Sequence, residues 1–256
     1  MFGADHAGQS EKHGFVLILD DTVAGFGNVD ILAESDILLT SLTKSFSGLS
    51  NVMGGSIVLN PLSKQYAAIS PVFSSTHHNE LFIADADVLL ANSQNFFART
   101  RRLNRNAYAM ATFLDSTIGK ADSPVVSVQY PGLLPSKALY DKYKRHSTKE
   151  LPEPGYGCLM TVNFESVATA RAFYDRLGFY PSPHLGGHVT LALCYNMFMF
   201  SKHPEERAYM RTCGVKEESV RISAGLEDVE DLIDTLMDAL DAATAFKKNG
   251  EKKLES

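Results

Sequence analysis

Two apolar runs that each end in polar residues constrain the fold of this chain more than any other feature. Residues 15–19 lead directly into Asp20-Asp21-Thr22, and residues 36–40, which are apolar at positions 37–39, lead into Ser41-Leu42-Thr43-Lys44. Uninterrupted apolar runs of this length are typical of strands that are buried on both faces of a parallel sheet. The segment between them has room for a short helical crossover. We therefore expect both polar ends at one edge of a parallel sheet, where α/β proteins bind ligands.

The residue types at this predicted edge indicate pyridoxal phosphate chemistry. Desolvation disfavours the ammonium form of a lysine at the end of a buried strand, so Lys44 is a candidate nucleophile that forms an imine with a carbonyl. Ser41 and Thr43 share one side of a strand, because side chains alternate with a period of two, and their hydroxyls are candidates to hold a phosphate. Asp20 is a candidate partner of a pyridinium nitrogen, which keeps the ring an electron sink. Ser-x-Thr-Lys alone also occurs in surface loops, and Asp20 favours the cofactor interpretation.

The motifs, taken in order along the chain, resemble the cystathionine γ-synthase family of cysteine and methionine metabolism, which are pyridoxal-phosphate-dependent transsulfuration enzymes. The resemblance rests on Leu19-Asp20-Asp21-Thr22, Ser41-Leu42-Thr43-Lys44-Ser45-Phe46-Ser47-Gly48, Val52-Met53-Gly54-Gly55-Ser56, Tyr130-Pro131-Gly132-Leu133 and Val220-Arg221-Ile222-Ser223-Ala224-Gly225-Leu226-Glu227. Asp-Asp-Thr, where many members have Asp-Asn-Thr, is most similar to the fungal branch. The resemblance therefore covers almost the whole chain.

The resemblance implies an α/β chain with the fold of type I pyridoxal-phosphate-dependent transferases. It places the C-terminal part of the large cofactor domain in residues 1–135 and a small α+β domain in residues 136–256. About three strands are predicted before a long helical region at about 71–118. We expect an incomplete large domain with a mainly parallel sheet, lacking the N-terminal part that supplies further phosphate and ring contacts in the family.

The resemblance also implies a role for each candidate site residue. Lys44 corresponds to the catalytic lysine that holds the cofactor, Asp20 to the partner of the ring nitrogen, and Thr22 to a residue near the ring face or its hydroxyl. Ser41 and Thr43 correspond to phosphate ligands.

Two further candidates lie in the C-terminal part. Arg221 lies on a predicted strand at 220–224, where a guanidinium fork can hold an α-carboxylate, and the resemblance makes it the substrate-carboxylate arginine. His184 departs from the Ser-Leu-Gly that lies near the substrate carboxylate in the family. A salt-bridged surface arginine and an ordinary loop histidine are the alternative interpretations.

The implied activity is γ-replacement on an activated homoserine by a thiol or other nucleophile, in a protein that forms homo-oligomers when complete. The alternative reactions are γ-elimination and O-acetylhomoserine sulfhydrylation. Three hypotheses stay open for this chain: an active enzyme completed by a separate chain or unusual assembly, an incomplete protein with little turnover, and a non-catalytic module for hetero-oligomerisation. For the isolated chain we expect weak or no cofactor binding, because part of the first shell is missing.

Charge excludes two classes of partner. The net charge of -6 leaves no basic patch for nucleic acid or for an anionic membrane. The arginines that cluster at positions 99, 101, 102 and 105 are predicted to form a solvated helix face.

The cysteine and histidine patterns predict no metal site. The three cysteines, Cys158, Cys194 and Cys213, are far apart and form no Cys-x-x-Cys motif, so we expect reduced, mostly buried thiols. His77 and His78 are neighbours that do not face each other on a helix, and no third ligand is evident. No secretory signal pattern and no apolar stretch of membrane length are predicted, so we expect a cytoplasmic protein.

Overall fold

The computed structural model describes residues 6–254 and divides the chain into two compact units. Unit 1 comprises residues 1–101 and 135–157, and unit 2 comprises residues 102–134 and 158–256. The predicted boundary between residues 135 and 136 refers to the domains of the family fold and stays a prediction.

Unit 1 contains a three-stranded sheet, in the order β1-β2-β3, formed by β1 (Ile18–Asp20), β2 (Ile37–Ser41) and β3 (Gly55–Leu59). β1 and β2 are parallel, with Asp20 opposite Leu39, so the two apolar runs lie side by side as predicted. β2 and β3 are antiparallel, and the described sheet is therefore mixed.

β2 ends two residues earlier than predicted. Residues Leu42–Phe46 form a π-helical turn, which we call the lysine turn, and Lys44 has a non-helical backbone there (φ -83, ψ -128). The carbonyl of Gly54 accepts hydrogen bonds from both Leu42 N (2.9 Å) and Thr43 N (3.2 Å), which bends the chain out of the strand. Thr43 therefore does not lie on a strand, and the two-residue period does not place it beside Ser41.

The helices of unit 1 lie before and after these strands along the chain. They are α1 (His6–His13), α2 (Tyr66–Thr76), α3 (Ile83–Ser93), the first residues of α4 (Phe96–Asp115), and α5 (Lys137–Tyr143). The predicted crossover between β1 and β2 contains a short 3-10 helix (Leu32–Glu34). The predicted helical region at about 71–118 is in fact three helices, because the chain leaves helical geometry at His77 and breaks again after Ser93.

The sheet of unit 1 keeps uncovered apolar surface. Within its described strands only Thr40 is fully buried, and Ile18, Ile57 and Val58 are 52%, 45% and 42% exposed. Strands with continuous apolar runs are normally covered on both faces. The described residues therefore leave apolar side chains of this sheet in contact with solvent.

Unit 2 contains a five-stranded sheet. Its strands are β4 (Val125–Gln129), β5 (Leu159–Phe164), β6 (Tyr180–Pro181), β7 (Leu191–Leu193) and β8 (Ser219–Ser223). The order is β4-β5-β8-β7-β6, and every pair is antiparallel except β6 with β7. The predicted strand at 220–224 is confirmed to within one residue as β8.

Helices cover the core of unit 2. They are α6 (Val167–Arg176), α7 (Tyr195–Met199), α8 (Pro204–Thr212), α9 (Val229–Leu254) and the rest of α4. Ser166 caps the N-terminus of α6, with its Oγ accepting from Thr169 N (3.1 Å) in a capping box, and α6 packs against α9. The apolar face of α9 is buried at Leu232 and Leu236, whereas Met237 is exposed.

The three cysteines differ in environment, so the prediction of mostly buried thiols holds for one of them. Cys158 is buried beside Leu103 and Leu185, Cys194 is half-buried, Cys213 is exposed, and all three are free thiols. Burial raises the pKa of Cys158, and it raises the pKa of Cys194 to about 11. None of the helices between residues 6 and 254 combines the length and the apolar composition needed to cross a bilayer.

Candidate active site

The parallel pairing of β1 and β2 brings three predicted site residues together at their carboxyl ends. Thr22 lies between the other two: its Oγ1 donates to Asp20 Oδ1 (2.5 Å) and accepts from Ser41 N (2.8 Å). Thr22 N also donates to Asp20 Oδ1 (2.9 Å). The Asp20 carboxylate is exposed, is held by Thr22, and belongs to a residue that lies opposite Leu39, three residues before the lysine turn.

A buried carboxyl that the sequence did not reveal lies behind this bridge. Asp21 is 3% exposed, its amide donates to Leu39 O (3.1 Å), and its Oδ1 accepts from Thr40 Oγ1 (2.5 Å). Its Oδ2 has no hydrogen-bond partner among the described residues. Burial raises the pKa of the Asp21 carboxyl, because the charged form loses its hydration. Asp21 and Thr22 thus fix the end of β1 to the end of β2 by side-chain bonds on two consecutive residues.

The lysine turn closes on its own backbone. Ser47 N donates to Leu42 O (3.0 Å) and Gly48 N donates to Lys44 O (2.8 Å), and Gly48 has the positive φ of 75° that favours glycine. The Lys44 side chain is half-buried. The turn therefore presents the candidate lysine from a backbone that is held at its C-terminal end.

The two predicted phosphate hydroxyls have different surroundings. Thr43 Oγ1 accepts from Gly54 N (3.0 Å) and donates to Gly54 O (3.3 Å), so it is occupied in holding the turn to the start of β3. The half-buried Ser41 hydroxyl makes no hydrogen bond with the described residues. Ser41 is therefore the better placed of the two to bind an anion.

Polar residues outside the sequence motifs support the lysine turn. The Ser47 side chain is fully buried, and Asn92 Nδ2 donates to both Ser47 Oγ (2.8 Å) and Asn51 Oδ1 (2.9 Å). Arg99 is 4% exposed and donates from Nη2 to Phe46 O (2.6 Å), the last carbonyl of the turn. The prediction of a solvated arginine face is therefore wrong for Arg99, whereas Arg101 is exposed as predicted.

Three aromatic rings hold the same region together. The rings of Phe26 and Phe96 stack with centroids 4.8 Å apart, and Phe46 contacts both at 5.9 and 5.6 Å. These rings come from the loop after β1, the lysine turn and the start of α4. Sequence patterns gave no indication of this cluster, because its members do not share a helix or a strand.

In unit 2 the structure brings Arg221 to the loop that contains His184. Arg221 Nη2 donates to Pro183 O (2.7 Å) and to His184 O (3.1 Å), and the guanidinium lies 5.0 Å from the centre of the Tyr195 ring. Burial lowers the pKa of Arg221. Arg221 makes no ion pair with the described residues, which argues against a salt-bridged surface arginine. Its Nε and Nη1 groups make no hydrogen bond there and remain for a ligand.

A cavity of about 480 Å³ opens at the opposite end of the unit 1 sheet, where β2 begins. The Asp36 carboxylate in its wall accepts from Leu17 N (2.7 Å) and from the Ser63 hydroxyl. Asn60 Nδ2 donates to the carbonyls of Leu32 and Ser35. Because these polar groups bond to the protein itself, we assign no ligand to this cavity.

Comparison with known proteins places these features in a family. The model of the family described as Cys/Met metabolism PLP-dependent enzyme matches residues 5–241. The cystathionine gamma-synthase-like protein ankD of Aspergillus thermomutatus is 35% identical over 241 residues, which are 94% of this chain and 40% of the relative. The alanine racemase ungC of Aspergillus violaceofuscus is 32% identical over 251 residues, which are 95% of this chain and 42% of the relative.

Solved structures give the same result at the level of the fold. The crystal structure of cystathionine gamma synthase from Xanthomonas oryzae pv. oryzae in complex with cystathionine matches with a TM-score of 0.75 and 27% identity. The match covers 93% of this chain and 58% of that one. The chain thus spans about two fifths of the length of these curated relatives and 58% of the solved structure.

Proposed function

The chain belongs to the Cys/Met metabolism PLP-dependent enzyme family, and from this premise we propose that it serves γ-replacement on an activated homoserine, the chemistry of cystathionine synthesis. The observation that carries the proposal is the bridge Asp20–Thr22–Ser41 at the start of the lysine turn. It brings a carboxylate and a hydroxyl to two neighbouring strand ends, and the bridged Ser41 amide lies three residues before Lys44, the amine that this chemistry requires.

Pyridoxal phosphate is the cofactor of this family, and the groups at the sheet edge fit it. Lys44 would hold the aldehyde carbon, Asp20 would keep the ring nitrogen protonated, and Ser41 would donate its hydroxyl to the phosphate. When bound, the cofactor supplies an electron sink for a carbanion at the substrate's α-carbon. The proposed role of Thr43 as a phosphate ligand requires it to exchange its 3.3 Å bond to Gly54 O.

The chain's own residues then have distinct tasks. Thr22 orients Asp20, because it donates to the carboxylate from both its amide and its hydroxyl. The amine of Lys44 would accept and return protons at the substrate's α and β carbons. Arg221 binds the α-carboxylate through the nitrogens that Pro183 and His184 leave open, and His184 lies beside it.

The substrate and reaction type belong to the same proposal. An activated homoserine ester and a thiol are the proposed reactants, with γ-elimination and O-acetylhomoserine sulfhydrylation as alternative reactions. Similarity alone does not decide among these, since one relative at 32% identity is named an alanine racemase. We propose the cytoplasm as the compartment, because all three cysteines are free thiols.

A non-catalytic module for oligomerisation is the second candidate function, and the uncovered sheet of unit 1 favours it.

We expect weak or no turnover from these 256 residues by themselves. The Asp20 carboxylate is exposed to solvent, where screening weakens its interaction with a ring cation. Homo-oligomer formation is proposed for the complete assembly.

Covalent trapping tests the proposal. The purified chain is mixed with pyridoxal phosphate, reduced with borohydride and digested, and the modified lysines are identified by mass spectrometry. We expect low total occupancy with Lys44 as the preferred site, and no preferred site in Lys44→Ala. Lys64→Ala, a matched change of an exposed lysine in unit 1, should leave the Lys44 preference intact. Equal labelling of many lysines, unchanged by Lys44→Ala, would refute the proposed role.

Reaction type requires a second measurement. The chain is supplied with pyridoxal phosphate, cysteine and the acetyl, succinyl or phospho ester of homoserine, and the products are separated on a chiral column. A cystathionine-like product supports γ-replacement, a keto acid supports elimination, and D-amino acid supports racemisation.

A further inference from the structure

We propose that Arg99 is the positioning residue of the lysine turn, fixing the backbone from which Lys44 extends. The proposal rests on the proposed function only for its catalytic consequence. Its structural content stands on the contacts of a buried guanidinium that the sequence placed on a solvated face.

Arg99 connects three segments of unit 1. Its Nη2 donates to Phe46 O (2.6 Å) at the end of the lysine turn and to Asn92 O (3.0 Å) in the last turn of α3. Its Nε donates to Asn95 Oδ1 (3.2 Å) in the connection between α3 and α4. The guanidinium therefore holds the lysine turn against the end of one helix and the start of the next.

Burial of the charged Arg99 guanidinium costs desolvation free energy that an apolar side chain at the same position would not cost. Arg99 is 4% exposed and makes no ion pair with the described residues, and its Nη1 has no hydrogen-bond partner among them. Burying a cation without a carboxylate is unfavourable. The compensation visible here is charge-assisted bonding to carbonyl oxygens, including one at the C-terminus of α3, where the helix dipole favours a cation.

The position of Phe46 explains why this bond matters for Lys44. Phe46 lies two residues after Lys44, and the two turn-closing amides, Ser47 N and Gly48 N, follow it directly. Release of Phe46 O would loosen these bonds and allow the Lys44 backbone to vary. A displacement of about 1 Å in a reacting group costs on the order of a hundredfold in rate.

Two measurements on the full chain test the proposal. The variants are Arg99→Met, which keeps the aliphatic stem and removes every donor, and Arg99→Lys, which keeps the charge but not the fork. Arg101→Met is the matched control, because Arg101 is exposed on the same helix. The first measurement is hydrogen exchange at the Ser47 and Gly48 amides, and the second is borohydride trapping of pyridoxal phosphate at Lys44.

We expect Arg99→Met to speed exchange at both amides by about tenfold or more and to lower Lys44 labelling by a similar factor. Arg99→Lys should give intermediate values, and Arg101→Met should match the wild type. A purely structural role elsewhere would change the melting temperature without this local pattern and without partial rescue by lysine.

The proposal would be overturned if the Ser47 and Gly48 amides of a folded Arg99 variant exchanged hydrogen at the wild-type rate. Failure of both variants to fold would also overturn it. If the wild type itself shows no Lys44 preference, the proposed function fails. The exchange comparison would still decide the role of Arg99.

Discussion

At the scale of single residues, the site depends on side chains that flank the motif residues. Asp20, Ser41 and Lys44 were predicted from their positions at the ends of apolar runs. Asp21, in contrast, is a buried carboxyl whose charge state follows from the fold: burial raises its pKa, the Thr40 hydrogen bond lowers it, and the negative charge of Asp20 raises it again. The positive charge of Arg145 has the smaller opposite effect.

The raised pKa of Asp21 predicts a pH-dependent stability. The folded chain retains the Asp21 proton to a higher pH than the unfolded chain does. The stabilisation of the folded state by this bound proton is therefore complete below the unfolded-state pKa, near 4. It is lost as the pH rises through the folded-state pKa. The amide of Asp21→Asn does not ionise and so avoids the cost of a buried charge. We therefore expect the free energy of unfolding of this variant to be about 1 kcal/mol higher than that of the wild type at pH 7.

Urea unfolding of both proteins between pH 4 and pH 8 measures this difference, which should vanish toward the acid end. Asp87→Asn, a change of an exposed carboxylate in unit 1, should show no comparable pH dependence. A constant difference between Asp21→Asn and the wild type over the whole range would contradict the prediction.

Arg99 shows what sequence reasoning missed at this scale and why. The four arginines at positions 99, 101, 102 and 105 are close in sequence, which favours treating them as one cluster. At roughly 100° per residue, however, Arg99 falls on the same side of α4 as Leu103 and Met110, which are buried. Arg101 and Arg105 fall on the opposite side. The helical phase was available from the sequence, but the acceptors Phe46 O and Asn92 O were not, since backbone carbonyls of distant segments leave no trace in a pattern.

At the scale of elements, the neighbours of Gly225 show how closely the segment after β8 packs. Gly225 N donates to Thr190 Oγ1 (2.9 Å), and the Glu227 carboxylate accepts from Thr190 N (2.5 Å) and Thr190 Oγ1 (2.8 Å). A Cβ at position 225 would lie 2.5 Å from Thr190 N and would also overlap the Val189 carbonyl carbon and the Glu227 carboxylate. These neighbours are mostly backbone and cannot move aside.

Gly225→Ala is therefore expected to lower the free energy of unfolding by about 3 kcal/mol or more. Gly178→Ala is the matched control, because a Cβ there meets no atom within 4 Å. Chemical denaturation followed by circular dichroism compares the two. Similar stability of the two variants would mean that the segment after β8 yields more readily than its contacts indicate.

Elements were predicted best where one residue pattern runs through the whole element. The parallel pairing of β1 with β2, the strand β8 and the apolar face of α9 at Leu232 and Leu236 follow from such patterns. The end of β2 at Ser41 does not follow from such a pattern, because the two hydrogen bonds that bend the chain are accepted by the carbonyl of Gly54. A tertiary contact with Gly54, the residue before β3, overrides the strand preference of residues 42 and 43.

At the scale of the whole molecule, the uncovered sheet of unit 1 predicts association. The register places Ile18, Ile37, Leu39 and Ile57 on one face, and Ile18 and Ile57 are each about half exposed. Exposed apolar surface on a sheet favours contact with another chain. We expect the mass measured by light scattering to rise with protein concentration.

Ile18→Lys and Ile57→Lys should each reduce this rise, since a charged side chain on that face resists burial. Val126→Lys, a change at an exposed position in unit 2, should not. A monomer mass that stays constant with concentration would remove the support that the sheet gives to an oligomerisation role.

Family membership was predictable at this scale, because five motifs in the right order are specific in combination. Substrate choice was not, because in the proposed site it depends on the placement of a few polar groups such as those around Arg221. The order of the motifs carries no information on how Pro183 O and His184 O occupy one arm of its guanidinium.

The buried Cys158 has a practical consequence for anyone who handles this protein. Its thiol is enclosed between Leu103 and Leu185 and contacts the Ser223 hydroxyl, whereas Cys213 faces the solvent. A thiol-specific dye will modify the accessible sulfur at once and the enclosed one only when unit 2 opens. The rate at which Cys158 is modified therefore measures how often unit 2 opens, and no cysteine has to be introduced by mutation.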